Sequence, residues 1–259
     1  MYRKPERAYR EMDSHRPDEQ KLQVVVDETD LWLTLPAAFP AQEAVAETIN
    51  IVRSLRGDLK LWIALHPEFR ISLTPVPVPK SAPPIVWAMA AAAAIMGVGP
   101  FAAVAGAVAQ AVAKYLAGLL MARGLPREVI VENGGDIYIC SEKSRVIALL
   151  SDPENPAQLG LRLDKADFPL AVCSSSALIG PSLSFGQSDL AMVRARDGAL
   201  ADAAATAYGN MLKDSSCIAE TLRRAEGDAP KGIEGVFVQC GGQVGIWGRL
   251  ELVAVNYGC

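Results

Sequence analysis

The chain has 259 residues, enough for one large domain or two modest ones, and 51% of them are hydrophobic, which excludes disorder as the default. Its net charge of −4 offers no basic field for nucleic acid or anionic lipid, so we expect neither as a partner. Five cysteines with no C-x-x-C pair argue against a disulfide framework or a zinc knuckle, and two histidines are too few for a multi-histidine metal site.

In chain order we predict strands at 22–26 and 31–35, a helix at 41–55, a strand at 59–65, buried helices at 85–96 and 101–123, strands at 129–131, 137–139, 145–150, 170–173 and 190–194, helices at 200–212 and 218–225, and strands at 236–239, 244–247 and 250–255. Gly57 is expected to end the first helix, and Gly124 to cap the third. Strands and helices come in adjacent groups without regular β-α alternation. This order predicts an α+β fold with antiparallel sheets packed against helix pairs, the central pair being buried and rich in alanine and glycine.

The N-terminal residues 1–20 read as a polar tail, because they are charged and lack the apolar region of a secretory signal. We therefore expect a cytoplasmic protein. The remainder, 21–259, is predicted to form a single domain. A proline-rich connector at 75–84 leaves two subdomains as the alternative.

Residues 81–113 carry no charge, which fits either a membrane hairpin or a helix pair in a soluble core. Alanine dominates the run, and alanine contributes little to membrane insertion. Glycines and a proline near residue 98 also divide it in two. We favour the soluble core and expect no membrane association.

The first candidate site is the turn at Gly97 and Gly99, which precedes Pro100 at a predicted helix start. Backbone N–H groups at an uncapped helix start can hold an anion. The alternative is a tight corner between two packed helices.

The second candidate is the turn formed by Asn133, Gly134, Gly135 and Asp136 between two apolar runs. Asn-Gly is a strong hairpin signal, because both positions tolerate positive φ. Paired glycines also let a ligand approach the main chain closely. The turn is therefore predicted to be a hairpin that lines a ligand site.

The third candidate is a loop rich in hydroxyl groups that follows a strand ending at Cys173. Its candidate ligand-binding residues are Ser174, Ser175, Ser176 and Ser184. These hydroxyls suit phosphate or ribose, although a serine-rich surface loop is the simpler interpretation. Cys173 is a candidate nucleophile, but no histidine lies near it in sequence to activate it.

The fourth candidate is a polar stripe on an alanine-lined helix. Asp202 and Thr206 are four residues apart and share a helical face, and Asn210 follows one turn later. Three oxygen-bearing side chains on one stripe suit a hard cation such as Mg²⁺ or Ca²⁺. The alternative is a helix start at which the dipole merely favours an acid.

Four segments occur in an order that resembles an uncharacterised family within the ApbE-like superfamily, beside the FAD:protein FMN transferases. They read GVGPFAAVAG (97–106), VENGGDI (131–137), SLSFG (182–186) and ADAAAT (201–206). The resemblance spans roughly residues 22–252 and implies the ApbE-like α+β fold.

The resemblance also implies site residues and cofactors. In the transferases an Asp and a Thr four residues apart hold Mg²⁺, and Asp202 and Thr206 match them. The transferases' Gly-Gly-Asp turn lines the flavin site, and Gly134, Gly135 and Asp136 match it. Mg²⁺ and FAD or FMN are therefore the expected cofactors.

The chain departs from the transferases at the helix start after Gly99, where no lysine follows, and it shows no export signal. It departs from its closer family at Ala177, where a glycine is usual, and at Ser188, where an alanine is usual. Transfer of FMN to a protein is therefore not implied by the resemblance alone.

Two functions are consistent with these sequence features and with the family resemblance. The first is a magnesium-dependent enzyme, such as a transferase, that acts on a small phosphorylated ligand of flavin or nucleotide type. The second is a non-catalytic accessory protein, which the family resemblance links to sulfur assimilation and homocysteine formation. The apolar helix pair at 85–120 further predicts a homo-oligomer, most simply a dimer.

Overall fold

The computed structural model describes residues 16–150, 157–176 and 190–256. The strands of this part of the chain are β1 Glu19–Val26, β2 Thr29–Pro36, β3 Val129–Asn133, β4 Asp136–Cys140, β5 Arg145–Leu150, β6 Ala157–Leu163, β7 Leu170–Ser175, β8 Leu190–Ala195, β9 Ile233–Cys240, β10 Gln243–Gly248 and β11 Glu251–Asn256. The helices are α1 Ala41–Leu65, α2 Glu68–Ile71, α3 Pro84–Met96, α4 Val104–Ala122, α5 Gly198–Met211 and α6 Ile218–Asp228.

Eight strands form one antiparallel sheet in the order β1-β2-β3-β4-β7-β8-β9-β10, and a smaller sheet has the order β11-β6-β5. Tight turns with positive φ close the hairpins, at Asp27 between β1 and β2, at Gly134 and Gly135 between β3 and β4, and at Gly241 and Gly242 between β9 and β10. The α+β fold with antiparallel sheets is thus confirmed. Because β2 pairs with β3, the strands on both sides of the connector at 75–84 belong to one sheet.

The large sheet separates two hydrophobic cores. The larger core joins one sheet face to the helices, with fully buried Met89 on α3, Leu116 on α4 and Tyr208 on α5. The smaller core is built from residues such as Ile139 on β4 and Leu161 on β6, which pack between the two sheets. The layers are therefore helices, large sheet and small sheet, and α3, α4 and α5 occupy the centre of the helical layer.

Buried charge pairs lie beside the smaller core. The Arg194 guanidinium on β8 is 3% exposed and lies 2.5 Å from Asp167 Oδ1 and 3.2 Å from Glu234 Oε2. Arg249, which precedes β11, also reaches Asp167 Oδ1 at 3.1 Å. Removing Arg194 would leave buried carboxylates uncompensated, so this network holds the segments after β6 and before β11 against the large sheet.

The prediction that Gly57 ends the first helix and that 59–65 is a strand is wrong. Helix α1 continues through Gly57 to Leu65, and its buried side chains Thr48, Val52 and Leu59 follow helical spacing. A helix tolerates an interior glycine at a cost of roughly 1 kcal/mol, which burial of this face offsets. His66 consequently follows a helix rather than a strand.

Other elements, among them the short helix α2, also differ from the sequence prediction. Strand β6 was not predicted, and it pairs with β5 and β11 to complete the small sheet. The predicted helix 101–123 begins as a 3-10 turn at Pro100–Ala103 and becomes α-helical at Val104.

In the described residues one helical segment, Pro100–Ala122, is long and apolar enough to cross a membrane by length and composition. Half of its apolar window is buried inside the protein. A core helix of this kind passes the same test, and α4 indeed contributes Val112 and Leu116 to the larger core.

Helices α4 and α5 cross at two glycines. A Cβ added to Gly106 would lie far inside contact distance of the Gly198 carbonyl and 2.8 Å from the Asp202 Cβ. A Cβ added to Gly198 would lie 2.5 Å from the Gly106 carbonyl. Since real side chains do not tolerate such distances, only glycine at both positions allows this helix approach.

We predict that Gly106→Ala lowers the free energy of unfolding by about 1–3 kcal/mol, because the methyl group forces the two helices apart. Gly118→Ala in the same helix is the matched control, since nothing lies within 4 Å of its added Cβ. That change should stabilise the protein by roughly 0.5–1 kcal/mol through helix propensity. Chemical denaturation of both variants measures the difference, and equal effects would contradict the close crossing.

Candidate functional site

Two buried carboxyl groups form the centre of the candidate site. Asp136 begins β4 directly after the Gly134–Gly135 turn and is 5% exposed, while Asp202 lies in the second turn of α5 and is 8% exposed. The Ser174 amide on β7 donates to Asp136, and the neighbouring Cys173 contacts the Gly198 carbonyl oxygen at the start of α5, so β7 joins the two elements. Burial and electrostatic repulsion from Asp136 both raise the pKa of Asp202. The hairpin and the helix predicted separately from the sequence thus meet at one site.

Asp202 lies against the start of α4. Its Oδ2 accepts a hydrogen bond of 2.9 Å from the Gly106 amide, and the Ala105 amide also donates to this carboxyl group. First-turn amides of a helix have no partner within the helix and attract negative charge. Burial nevertheless dominates, and together with Asp136 it holds the pKa of Asp202 well above its usual range.

Asp136 is held by the strand next to it. Its Oδ1 accepts a hydrogen bond of 3.1 Å from the Ser174 amide, and the Cys173 thiol also donates to it. Both hydrogen bonds lower the pKa of Asp136, but burial raises it more, and Glu132 adds repulsion, so that its pKa is about 7. Asp136 therefore holds its proton to a higher pH than an ordinary aspartate does.

The glycine turn packs against α4. Gly134 and Gly135 have φ of 71° and 106°, values that favour glycine, and the Gly135 amide donates to Glu132 Oε1 at 2.7 Å. Asn133 Nδ2 donates to the Ala105 carbonyl at 3.1 Å. The predicted hairpin is confirmed, and no atom of the described residues lies within 4 Å of a Cβ built on Gly135.

Cys173 lies in the core of the site rather than on its surface. It is fully buried, and its Sγ lies 3.7 Å from the Gly198 carbonyl oxygen. Burial, then the neighbouring carboxyls Asp136 and Asp202, hold the pKa of the thiol well above its usual range. Because the thiolate is the nucleophilic form, this environment opposes a role for Cys173 as a nucleophile.

The polar stripe lies on one helix, as expected. Asp202, Thr206 and Asn210 all belong to α5, and Thr206 and Asn210 are half-buried. Their spacing of four residues places them along one side of the helix. Their roles in cation and ligand binding stay predictions.

Gly97 and Gly99, the glycines predicted to bind an anion, each have a role in chain geometry or packing. Gly97 is the left-handed cap of α3, with φ 76°, and the Gly99 backbone packs so closely on Ser72 that an added Cβ would overlap the Ser72 carbonyl. The helix-start amides that do face a negative charge belong to Ala105 and Gly106. A ligand at Gly97 or Gly99 stays a prediction.

The structure describes three of the four candidate serines. Ser174 and Ser175 end β7, Ser174 half-buried and Ser175 buried, and the Ser174 hydroxyl reaches the Gly135 carbonyl at 3.5 Å. Ser176 follows the strand, and Ser184 lies outside the described residues. Among the serine predictions, Ser174 is therefore in contact with both the turn and Asp136.

The chemistry of the donor set fits a hard divalent cation. Among the described residues no lysine, arginine or histidine forms an ion pair with Asp136 or Asp202, so a cation there would offset both burial and mutual repulsion. The described residues contain no group of three histidine, cysteine or acidic side chains arranged for a metal. Hydroxyl, backbone or ligand oxygens, such as that of Thr206, would have to complete the coordination.

Two glycines of the site, Gly106 and Gly198, have no candidate role in the sequence analysis. Gly106 lies within a segment that carries the family resemblance, whereas Gly198 does not. The sequence feature that marks this contact is a glycine on each of the two helices, with Gly198 four residues before Asp202. Spacing along one chain does not show that two helices meet at their glycines.

The chain matches a known family model and has relatives of similar sequence. The model of the family described as "AbpE bacteria" matches residues 13–245. The UPF0280 protein of Methanocella arvoryzae is 37% identical over 205 residues, which cover 79% of this chain and 81% of the relative. The UPF0280 protein of Methanocaldococcus jannaschii is 36% identical over 243 residues, which cover 91% and 94%.

Two solved structures share the fold. The apo form of the flavinyl transferase ApbE of Pseudomonas stutzeri aligns with a TM-score of 0.52 and 13% identity, over 92% of this chain and 94% of that one. The ApbE protein of Thermotoga maritima aligns with a TM-score of 0.51 and 12% identity, over 88% and 96%. At this identity the likeness shows the ApbE-like fold and no more.

We predict that, without metal, the protein becomes less stable as pH rises through neutrality. The pKa of Asp136 is about 7 in the folded state against 3.8 in a model peptide, so between these values the folded state binds more protons than the unfolded state. The stability from this difference is complete at low pH and is lost as pH rises through the folded-state pKa.

Chemical denaturation with a chelator present, at several values between about pH 5 and pH 8, measures this slope. Asp136→Asn should reduce it, since only the contribution of Asp202 remains. Glu220→Gln, which removes an exposed acid on α6, should leave the slope unchanged. An unaltered slope in Asp136→Asn would contradict the assignment.

Proposed function

This chain belongs to the family whose model is described as "AbpE bacteria", and its relatives are UPF0280 proteins; we propose that it binds a divalent cation together with a phosphorylated ligand of flavin or nucleotide type and acts as a transferase. The observation that carries the proposal is the pair of buried carboxyl groups, Asp136 and Asp202, brought together without a paired cationic side chain among the described residues. Mg²⁺ is the proposed cation, and FAD or FMN the proposed flavin.

The proposed cation ligands are Asp202 and Thr206, which are also the proposed catalytic residues. Asp202 has one oxygen held by the Gly106 amide, and its orientation is fixed before any ligand binds. Thr206 adds a neutral oxygen one helical turn away. When bound, the cation would act as a Lewis acid and as a template for phosphate oxygens.

The proposed ligand surface is the open glycine turn. Gly134 and Gly135 have no side chain, and within the described part of the chain no atom lies within 4 Å of a Cβ position built on Gly135. A planar or phosphorylated group can therefore approach the main chain next to Asp136, which is available both as a hydrogen-bond donor and as an acceptor near pH 7. The name of the Pseudomonas stutzeri neighbour, a flavinyl transferase, supports flavin as the ligand class.

One observation favours the alternative, a non-catalytic accessory protein in sulfur metabolism. The helix start after Gly99 lacks the lysine of the transferases, and the structure uses this segment for packing on Ser72. A protein that retains the fold and pocket but not the chemistry would show this pattern. The buried Cys173 thiol, with its raised pKa, gives the alternative no sulfur-handling group at the surface.

We predict that Mg²⁺ together with FAD or FMN raises the melting temperature of the wild-type protein. Ligand at about 100 times its Kd adds about 2.7 kcal/mol, which corresponds to roughly 5–10 °C for a chain of this size. The shift should disappear in Asp202→Asn and weaken in Thr206→Val. Glu220→Gln, which removes an exposed charge, should retain it.

A differential scanning fluorimetry screen with Mg²⁺, flavins and adenine nucleotides, singly and combined, makes this measurement. A shift with metal and flavin that depends on Asp202 would support a working transferase site. No shift with any of these ligands would contradict the proposal and favour the accessory function.

We also propose a cytoplasmic homo-oligomer, with α3 contributing to the interface. Trp87 and Ile95 on α3 are 49% and 40% exposed, although the opposite side of this helix, with Val86 and Met89, is buried in the larger core. We predict a dimeric mass by light scattering at micromolar concentration, and a monomeric mass for Trp87→Glu. A purely monomeric wild-type protein would contradict this proposal.

A further inference from the structure

Gln110 on α4 bridges to the start of α5 through both ends of its side-chain amide. Its Oε1 accepts a hydrogen bond from the Gly198 amide, and its Nε2 donates to Asp197 Oδ2 at 3.2 Å. Asp197 is the N-cap of α5, and its other oxygen accepts from the Leu200 amide at 2.9 Å. Each end of the Gln110 amide is thus tied to a named partner.

This bridge is one of two links between the helices. The first link joins Gly106 to Asp202, and the second joins Gln110 to Gly198. Gln110 lies four residues after Gly106, and Gly198 four residues before Asp202, so the links are successive turns of two helices that run in opposite directions. Between them the glycine backbones are in direct contact.

The second link constrains the first. Asp202 can reach the amides of Ala105 and Gly106 only if α5 keeps its register against α4. Packing at the Gly106–Gly198 contact fixes how closely the helices approach, but bare glycine surfaces resist sliding poorly. A directional pair of hydrogen bonds one turn away resists sliding, and Gln110 supplies that pair.

We propose that Gln110 is a positioning residue: by setting the register of α5 on α4 it orients the Asp202 carboxylate for the cation. The cation part rests on the proposed function, whereas the orientation of Asp202 is a property of the protein alone. Gln110 itself touches neither Asp202 nor Asp136 in the hydrogen bonds described, so it acts through Asp197 and Gly198.

The polarity of the bridge can be inverted, which provides the test. In Gln110→Glu a carboxylate faces the Asp197 carboxylate and the donor to Asp197 is lost, while an acceptor for Gly198 remains. In Asp197→Asn the introduced side-chain N–H group faces the N–H group of Gln110, so the hydrogen bond between the two side chains is lost.

The double variant, Gln110→Glu with Asp197→Asn, restores a complementary pair. The amide introduced at position 197 donates to the carboxylate introduced at position 110, and that carboxylate still accepts from Gly198. The carbonyl oxygen of the new amide remains to cap Leu200. The double variant also has the same net charge as the wild type, so a change in total charge does not complicate the comparison.

The first readout is hydrogen exchange of the Gly106 amide, which requires no ligand. This amide lies in the first turn of α4, and the hydrogen bond described for it goes to Asp202, so its protection reports the position of the carboxylate. We expect faster exchange of Gly106 in each single variant and near wild-type exchange in the double variant. Amides in the middle of α4 serve as the internal reference for global stability.

The second readout is Mn²⁺ affinity by isothermal titration, with Mn²⁺ in place of Mg²⁺. Loss of a group that orients a ligand typically weakens metal binding by about 10- to 100-fold. We expect that loss in Gln110→Glu and recovery in the double variant, at a temperature where every variant is folded. A merely structural role would lower the melting temperature of Gln110→Glu without changing its Mn²⁺ affinity.

The outcomes separate the two proposals. Unchanged Gly106 exchange in both single variants, or a double variant that recovers neither readout, overturns the role of Gln110. Recovery of Gly106 exchange in the double variant, with no Mn²⁺ binding even by the wild type, supports the positioning role and overturns the cation site. If a single variant does not fold, the double variant alone decides, since it must then fold and protect Gly106.

Discussion

The site depends on the contact between the Asp202 carboxylate and the first amides of α4. A carboxylate is costly to bury, and here the N–H groups of Ala105 and Gly106 replace part of its lost hydration. The contact exists because two glycines let α4 and α5 approach backbone to backbone. Both helices are rich in alanine, and small side chains are what such a close approach needs.

The same arrangement leaves Asp202 incompletely compensated. Burial and Asp136 outweigh the helix amides, so both carboxyl groups favour their protonated forms more than ordinary aspartates do. Natural proteins retain such unfavourable charge chiefly where it serves function. A divalent cation and an anionic ligand would together satisfy the carboxylates, the open turn at Gly135 and the oxygen of Thr206. The fold thus keeps a destabilising site that ligand binding would stabilise.

Much of the fold follows from local pattern. The apolar alternation of β1 and β2, the glycine turn before Asp136 and the buried helix pair are all visible in the sequence, because each is determined by residues close together in the chain. The errors at 59–65 and at β6 arise where tertiary packing decides. Burial of Leu59 keeps α1 helical beyond Gly57, and β6 pairs not only with the preceding β5 but also with β11, about 90 residues further along the chain. The polar stripe on α5 and the turn at 133–136 were predicted separately, but their meeting point was not, since neither Gly106 nor Gln110 bears the side chain of an expected ligand. The helix-start amides that contact Asp202 belong to Ala105 and Gly106, a few residues beyond the glycines at which the sequence predicts an anion site.

The central claim is that Asp202, oriented by α4, holds a divalent cation beside Asp136. The most direct measurement is a crystal structure of the protein soaked in Mn²⁺, with an anomalous difference map collected at the manganese absorption edge. The account predicts a peak about 2.1 Å from an Asp202 oxygen and close to Thr206. A map with no peak at Asp202, or with peaks at surface carboxylates alone, would contradict it.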